Sequence, residues 1–85
     1  MWSKPVTFIN PSTKHHATAR TSREALKILN EYWWLSDGAA YAAAVETCLA
    51  ELHGDAGEHE ARIAFSMALN EMGMSLLTDA TNEAA

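Results

Sequence analysis

The stretch ELHGDAGEHEAR, residues 51–62, sets two histidines and four carboxylates around two glycines, and no other segment of the 85-residue chain gathers so many groups able to do chemistry. Imidazole and carboxylate side chains suit zinc or another divalent ion, and paired carboxylates suit acid–base work. Spacing decides between those readings and a structural one. Helix-borne ligands converge when they lie three or four residues apart, but His59 is followed by Arg62 at i+3 and Ile63 at i+4. His53 and Asp55 flank Gly54 with a spacing that matches no metal motif. The segment reads more simply as a helix end, a turn and a helix start. Gly54 takes the left-handed position that closes one helix, and His53 lies beside that helix's negative end. Asp55 and Glu58 cap the next helix, with Glu58 and Glu60 at its positive end. Neither a metal nor a cofactor is expected.

The remaining reactive groups fare no better. His15 and His16 are neighbours, and on a strand neighbours point to opposite faces, so they do not share an ion. Cys48 is the single cysteine. It falls in an apolar helical stripe rather than at a helix N-terminus that would stabilise a thiolate, and His53 lies about 140° away around the helix. No G-x-S-x-G, P-loop or G-x-G-x-x-G is present, and the chain is expected not to be an enzyme. A lone thiol rules out an internal disulfide and suits a reducing compartment. MWSKPVTFINPSTK has no apolar signal-peptide core. The richest apolar run, GAAYAAAVETCLAEL, carries two glutamates and falls short of the roughly 20 apolar residues that a membrane span needs. The expectation is a soluble cytoplasmic protein with no membrane contact.

A net charge of −5 argues against general nucleic-acid binding, which needs cations to neutralise phosphates. The distribution is uneven. Residues 1–27 hold five cations (Lys4, Lys14, Arg20, Arg23, Lys27) against Glu24, whereas the rest hold only Arg62 against ten acids. Lys14, Arg20, Arg23 and Arg62 are therefore the candidate anion contacts. Arg62 has a structural alternative, a clamp on Glu58 or on a carboxylate of another helix. Tyr32, Trp33, Trp34 and Tyr41 gather around one interhelical turn. They are the candidate partner contacts, since tryptophan and tyrosine anchor interfaces as well as cores.

These groups must be positioned by a small α+β domain. PVTFI, the turn-like NPSTK and HHATAR read as a β-hairpin. Pro5 suits an edge strand, and Val6 and Phe8 face the core with Trp2 nearby. Thr21 and Glu24 have capping-box spacing at the start of TSREALKILNEYWWL, and Ala25, Leu26, Leu29, Tyr32 and Trp33 form one face, widened by Ile28 and Leu35. Adjacent tryptophans cannot share a helix face, so Trp33 or Trp34 lies near the surface. Ser36 or Asp37 caps the second helix, AAYAAAVETCLAELH, with Tyr41, Val45, Cys48, Leu49 and Leu52 as its buried stripe and Ala42, Ala43 and Ala44 allowing close helix approach. In the third helix, EHEARIAFSMALNEM, residues Ala61, Ala64, Phe65, Ala68, Leu69 and Met72 turn inward, and Gly73 follows as the terminating glycine. MSLL, residues 74–77, is apolar enough for a short third strand. The fold class is thus a β-hairpin followed by three helices over residues 1–77, with a disordered tail over 78–85.

In this order, PVTF, TSREALKIL with Trp33 near its end, DGAAYAAAVETCLAEL, Gly54 and EARIAFSMALNEMGM resemble the small rhizobial or alphaproteobacterial proteins grouped as domain of unknown function 982. The matching positions are Pro5, Val6, Glu24, Ala25, Trp33, Gly38, Tyr41, Ala44, Cys48, Gly54, Ala61, Arg62, Ala64 and Phe65, and the likeness spans about residues 2–77. Trp34 stands where the family pattern implies proline, and Gly57 stands near where it implies one at the start of the third helix. The resemblance implies a short stand-alone protein with no assigned activity, cofactor or catalytic set. The expected function is protein–protein contact by a small regulatory or accessory factor, with homodimerisation as one route. The alternative is nucleic-acid or polyanion binding through the basic hairpin.

Overall fold

A computed structural model describes residues 2–32 and 38–77. Two strands, β1 (Val6–Asn10) and β2 (His15–Ala19), are followed by α1 (Ser22–Glu31), α2 (Ala39–Leu52), α3 (Glu58–Glu71) and β3 (Ser75–Leu76). This is the expected α+β domain, with the third strand present. Trp33, Trp34, Leu35, Ser36 and Asp37 lie outside the described residues, as does the tail expected over 78–85.

The antiparallel sheet has the order β2-β1-β3. β1 is therefore its central strand, not an edge. Pro5 is tolerated because it precedes the ladder, where its missing N–H breaks no strand pairing. The register sets Val6 against Ala19 and Phe8 against Ala17, so the large inward residues of β1 meet small ones on β2. On the outer face Thr7 and Thr18 share a hydroxyl–hydroxyl hydrogen bond of 3.0 Å.

The core lies between the inner sheet face and the helices. Val6, Phe8 and Trp2 are buried as their positions predict, together with Ala25, Leu29, Phe65, Ala68 and Leu69. The Phe65 ring meets Trp2 at 5.9 Å and Phe8 edge-on at 6.2 Å between centroids, arrangements that suit the aromatic quadrupole. Phe65 thus joins the N-terminal arm, the sheet and α3.

Local signals explain most helix ends. Thr21 Oγ1 accepts from Glu24 N at 3.1 Å, but Glu24 Oε1 accepts from Arg20 N at 2.7 Å, one residue before the cap. Both α2 and α3 end in Schellman motifs. Gly54 (φ 83°) donates to Glu51 O while Asp55 N donates to Ala50 O; Gly73 (φ 86°) donates to Asn70 O while Met74 N donates to Leu69 O. The second motif turns the chain into β3, where Leu77 N donates to Thr7 O.

Two expectations about α2 need correction. Its N-cap is Gly38, not Ser36 or Asp37, and no cap side chain serves it. Instead the carboxylate of Glu71, from the last turn of α3, accepts from Ala40 N at 3.4 Å and Tyr41 N at 3.3 Å. The buried stripe is only partly as expected, for Tyr41 and Val45 pack against the core but the leucines do not face it. Ala44 and Cys48 are fully buried, whereas Leu49 and Leu52, expected inside, are 43% and 44% exposed. Because α2 is apolar around most of its circumference, its periodicity carries little information about phase. The small side chains of Ala44 on α2 and of Ala61, Ala64 and Ala68 on α3 decide the matter by allowing close packing between these helices.

Candidate functional site

In the 51–62 segment each acidic group whose contacts are resolved is used to hold the fold. Glu58, at the first position of α3, accepts from Ser3 N at 2.6 Å and Ser3 Oγ at 2.8 Å. These two bonds, foremost the backbone one, hold its carboxyl below the ordinary carboxylate value. Glu58 also lies 3.9 Å from the Arg62 guanidinium one turn on, the clamp expected from the sequence. Glu60 accepts from Gly57 N at 3.2 Å. The α3 N-cap is therefore Gly57, served by Glu60, and not Asp55 with Glu58. His53 is the exposed C-cap of α2 and His59 is exposed on α3. Among the described residues no group of three or more histidine, cysteine or acidic side chains converges on a point that could hold a metal ion.

A polar cluster that sequence reasoning missed lies beneath this turn. Ser22 is 1% exposed at the first position of α1. Its Oγ accepts from Trp2 Nε1 at 3.2 Å and donates to Glu51 Oε1 at 2.5 Å. Cys48 is adjacent, and its thiol is pushed up to about 11, foremost by burial, with a hydrogen bond to Ser22 working in the opposite direction and the Glu51 charge adding to the rise. A thiol held there stays protonated at neutral pH and is a poor nucleophile. The signal was faint but present: Ser22 continues the inward line of Ala25 and Leu29, and Glu51 continues that of Ala44 and Cys48.

The four candidate anion contacts are not brought together. Arg62 is 4% exposed and packed into the interior beside Glu58. Lys14 sits in the hairpin turn with φ 64°, and Arg20 lies beyond the other end of β2, six residues or roughly 20 Å along the strand. Arg20 and Arg23 are exposed near the start of α1. Of the candidate partner contacts, Trp33 and Trp34 lie outside the described residues. Tyr41 is half-buried and donates to Leu29 O at 3.0 Å, tying α2 to α1. Tyr32 is half-buried beside a surface cleft of about 400 Å³ between the hairpin turn and the α3–β3 turn.

The most exposed large apolar side chains on α2 are Leu49 and Leu52, one turn apart on its outer face. Ala42 is exposed and Val45 half-buried on the same side. Among the described residues no helix is long and apolar enough to cross a membrane.

The residues that carry the family resemblance prove to be the joints of this fold: Ala44 against α3, Gly54 at the Schellman turn, Arg62 on Glu58, Phe65 at the aromatic junction. The family model for protein of unknown function DUF982 matches residues 4–76, from just before β1 through β3. The chain belongs to the DUF982 family. No curated protein and no solved structure matches it significantly. In this DUF982 member the glycine at position 57 has a local consequence. Its N–H serves Glu60, a bond that proline could not make.

Proposed function

We propose that this DUF982 chain is a non-enzymatic cytoplasmic module that acts through protein–protein contact, as a small regulatory or accessory factor working without a cofactor, and that the outer face of α2 is its contact surface. The observation that carries this reading is the exposure of Leu49 and Leu52 on α2, beside the line of Ala44 and Cys48 that anchors the helix to the core. Single exposed leucines are ordinary on protein surfaces, but two at one helical turn, flanked by Ala42 and Val45, form a continuous apolar strip. The occupied carboxylates of the 51–62 segment and the protonated thiol of Cys48 support a structural role for the groups that first suggested chemistry. The polyanion alternative is weakened because Arg62 packs inside and Lys14 stands apart from Arg20 and Arg23.

A photo-crosslinking residue at position 52, introduced in the cell of origin, tests the reading. A discrete protein adduct is expected there, lost on Leu49→Asp, with none from the same probe at Lys14 or Arg23. Absence of an adduct at 52, or adducts to nucleic acid from the basic positions, would refute it.

A further inference from the structure

We infer that the cleft between the open edge of β3 and α3 takes an extended, non-acidic peptide segment of another protein, which joins the sheet as a fourth strand beside β3. This contact is separate from the outer face of α2 and does not rest on it.

Main-chain direction is the first argument. In the order β2-β1-β3, one side of β3 has no neighbouring strand. Leu77 N donates to Thr7 O at 2.8 Å, so the main-chain groups of Leu77 point towards β1. Successive residues of a strand point their N–H and C=O groups to opposite sides. Those of Leu76, which stands opposite Phe8 in the register, therefore point to the open edge. Among the described residues no strand takes them up. The edge carries none of the charges or prolines that commonly block strand addition, for Ser75, Leu76 and Leu77 are all neutral.

The cleft beside that edge is the second argument. It has a volume of about 360 Å³, and Leu76 forms one wall while Ser66, Met67 and Asn70 of α3 form the other. Ser66 is fully buried, and its Oγ has no hydrogen-bond partner. A buried hydroxyl left in that state is costly and marks a place for a missing polar group. Asn70 brings a carboxamide one helical turn on from Ser66. The main chain of Leu76, the hydroxyl and the carboxamide are all uncharged, and each both donates and accepts. A peptide unit, with one donor and one acceptor, matches them better than an ion does. Met67, 56% exposed, and Ala40 at the start of α2 offer apolar contact for a side chain of the incoming segment.

Charge narrows the occupant. No lysine, arginine or histidine lines the cleft, and its one ionisable group is the Glu71 carboxylate, which accepts from Ala40 N and Tyr41 N. An acidic segment or a terminal carboxylate is disfavoured there. A second copy would bring its own Glu71 and a net charge of −5 to the same edge, so a neutral or basic segment of another protein is the better match. With one residue of β3 directed outward, the contact is weak, with a dissociation constant on the order of 0.1–1 mM.

Because main-chain groups carry the recognition, a generic β-prone probe tests it. The full chain, labelled with ¹⁵N, is titrated by NMR with a blocked hexapeptide of alternating valine and threonine ending in lysine, and with its counterpart ending in glutamate. Saturable shifts of the Leu76 amide and the Asn70 side-chain amide are expected, with the glutamate peptide at least ~2-fold weaker. Met67→Asp should weaken binding at least ~3-fold without lowering Tm, because that side chain already faces water. Leu76→Pro should abolish it while the Thr7–Leu77 bond persists, since the N–H it removes pairs with nothing in β1. No shift at Leu76 up to ~5 mM peptide, equal binding by Met67→Asp, or tighter binding of the glutamate peptide overturns the proposal. Leu76 shifts that grow with protein concentration in the absence of peptide would give the edge to a second copy and also overturn it. Leu49→Asp should leave peptide binding unchanged, so failure here and failure of the α2 contact are read separately.

Discussion

Ser22→Ala should be far more damaging than its loss of one oxygen suggests. The substitution breaks the bonds of the Ser22 hydroxyl to Trp2 Nε1 and to Glu51. Trp2 is 3% exposed, so its indole N–H is left without an acceptor in a dry site, at a cost of about 1–3 kcal/mol. The charge-assisted bond to Glu51 would be worth about 1.5–3 kcal/mol if both partners were buried. Glu51 is half-buried, and water recovers part of that, leaving about 1 kcal/mol. Alanine's better helix propensity returns only ~0.5 kcal/mol. The expected net loss is about 2–3 kcal/mol, a large share of the stability of a domain this small. At roughly 4–8 °C per kcal/mol, the melting midpoint should fall by about 8–24 °C. Urea and thermal unfolding followed by circular dichroism measure it. Trp2→Phe keeps the ring on Phe65 but removes the donor, so Ser22→Ala should cost ~1 kcal/mol less in that background. A loss below ~0.5 kcal/mol, or strict additivity of the two substitutions, would refute a buried Trp2–Ser22–Glu51 chain.

Three further outcomes are expected. Gly54→Ala should lose about 1–2 kcal/mol in urea unfolding, and purely through backbone strain: φ is +83° and nothing lies within 4 Å of the added Cβ. A neutral result would mean that the Schellman turn does not persist in solution. Glu58 titrates below its ordinary value of 4.5 in the folded chain, so its contribution is present above that value and lost as pH falls through the depressed one. Glu58→Gln should accordingly flatten the acid side of the stability profile; an unchanged slope would contradict the Ser3 contacts. For Cys48, raised from 9.0 to about 11, the sign is opposite, and stability should decline as pH rises from 9 towards 11. Its reaction with a disulfide reagent at pH 8 should be slow and should accelerate in urea in step with unfolding; rapid labelling of the native chain would show an accessible, ionised thiol.

Much of the architecture was legible because it rests on local physics. Thr21 starts α1 through an N–H three residues away, and Gly54 and Gly73 end α2 and α3 because the left-handed conformation suits glycine. The period-two pattern of PVTFI placed Val6 and Phe8 inside. Pattern failed where several faces were equally apolar. In α2 the 3.6-residue period placed Cys48, Tyr41 and Val45 on the core side as expected, but Leu49 and Leu52 were expected inside and are 43% and 44% exposed. Among the candidate site residues, Arg62 was legible as a clamp on Glu58 because the pair lies one helical turn apart. The separation of Lys14 from Arg20 was legible too, since the strand HHATA lies between them.

What the sequence determined by itself is therefore the set of elements, their order, the N-cap of α1 and the glycine ends of α2 and α3, because each depends on residues within a turn or two of one another. What only the tertiary structure decided depends on partners far apart in the chain. Glu71 caps α2 from 30 residues away, Ser22 reaches Glu51 across 29, and Glu58 holds Ser3 across 55. No local pattern encodes such bonds, because their strength depends on burial and direction that exist only after the helices have packed. The same packing turns Leu49 and Leu52 outward, and so creates the surface on which the proposed function rests.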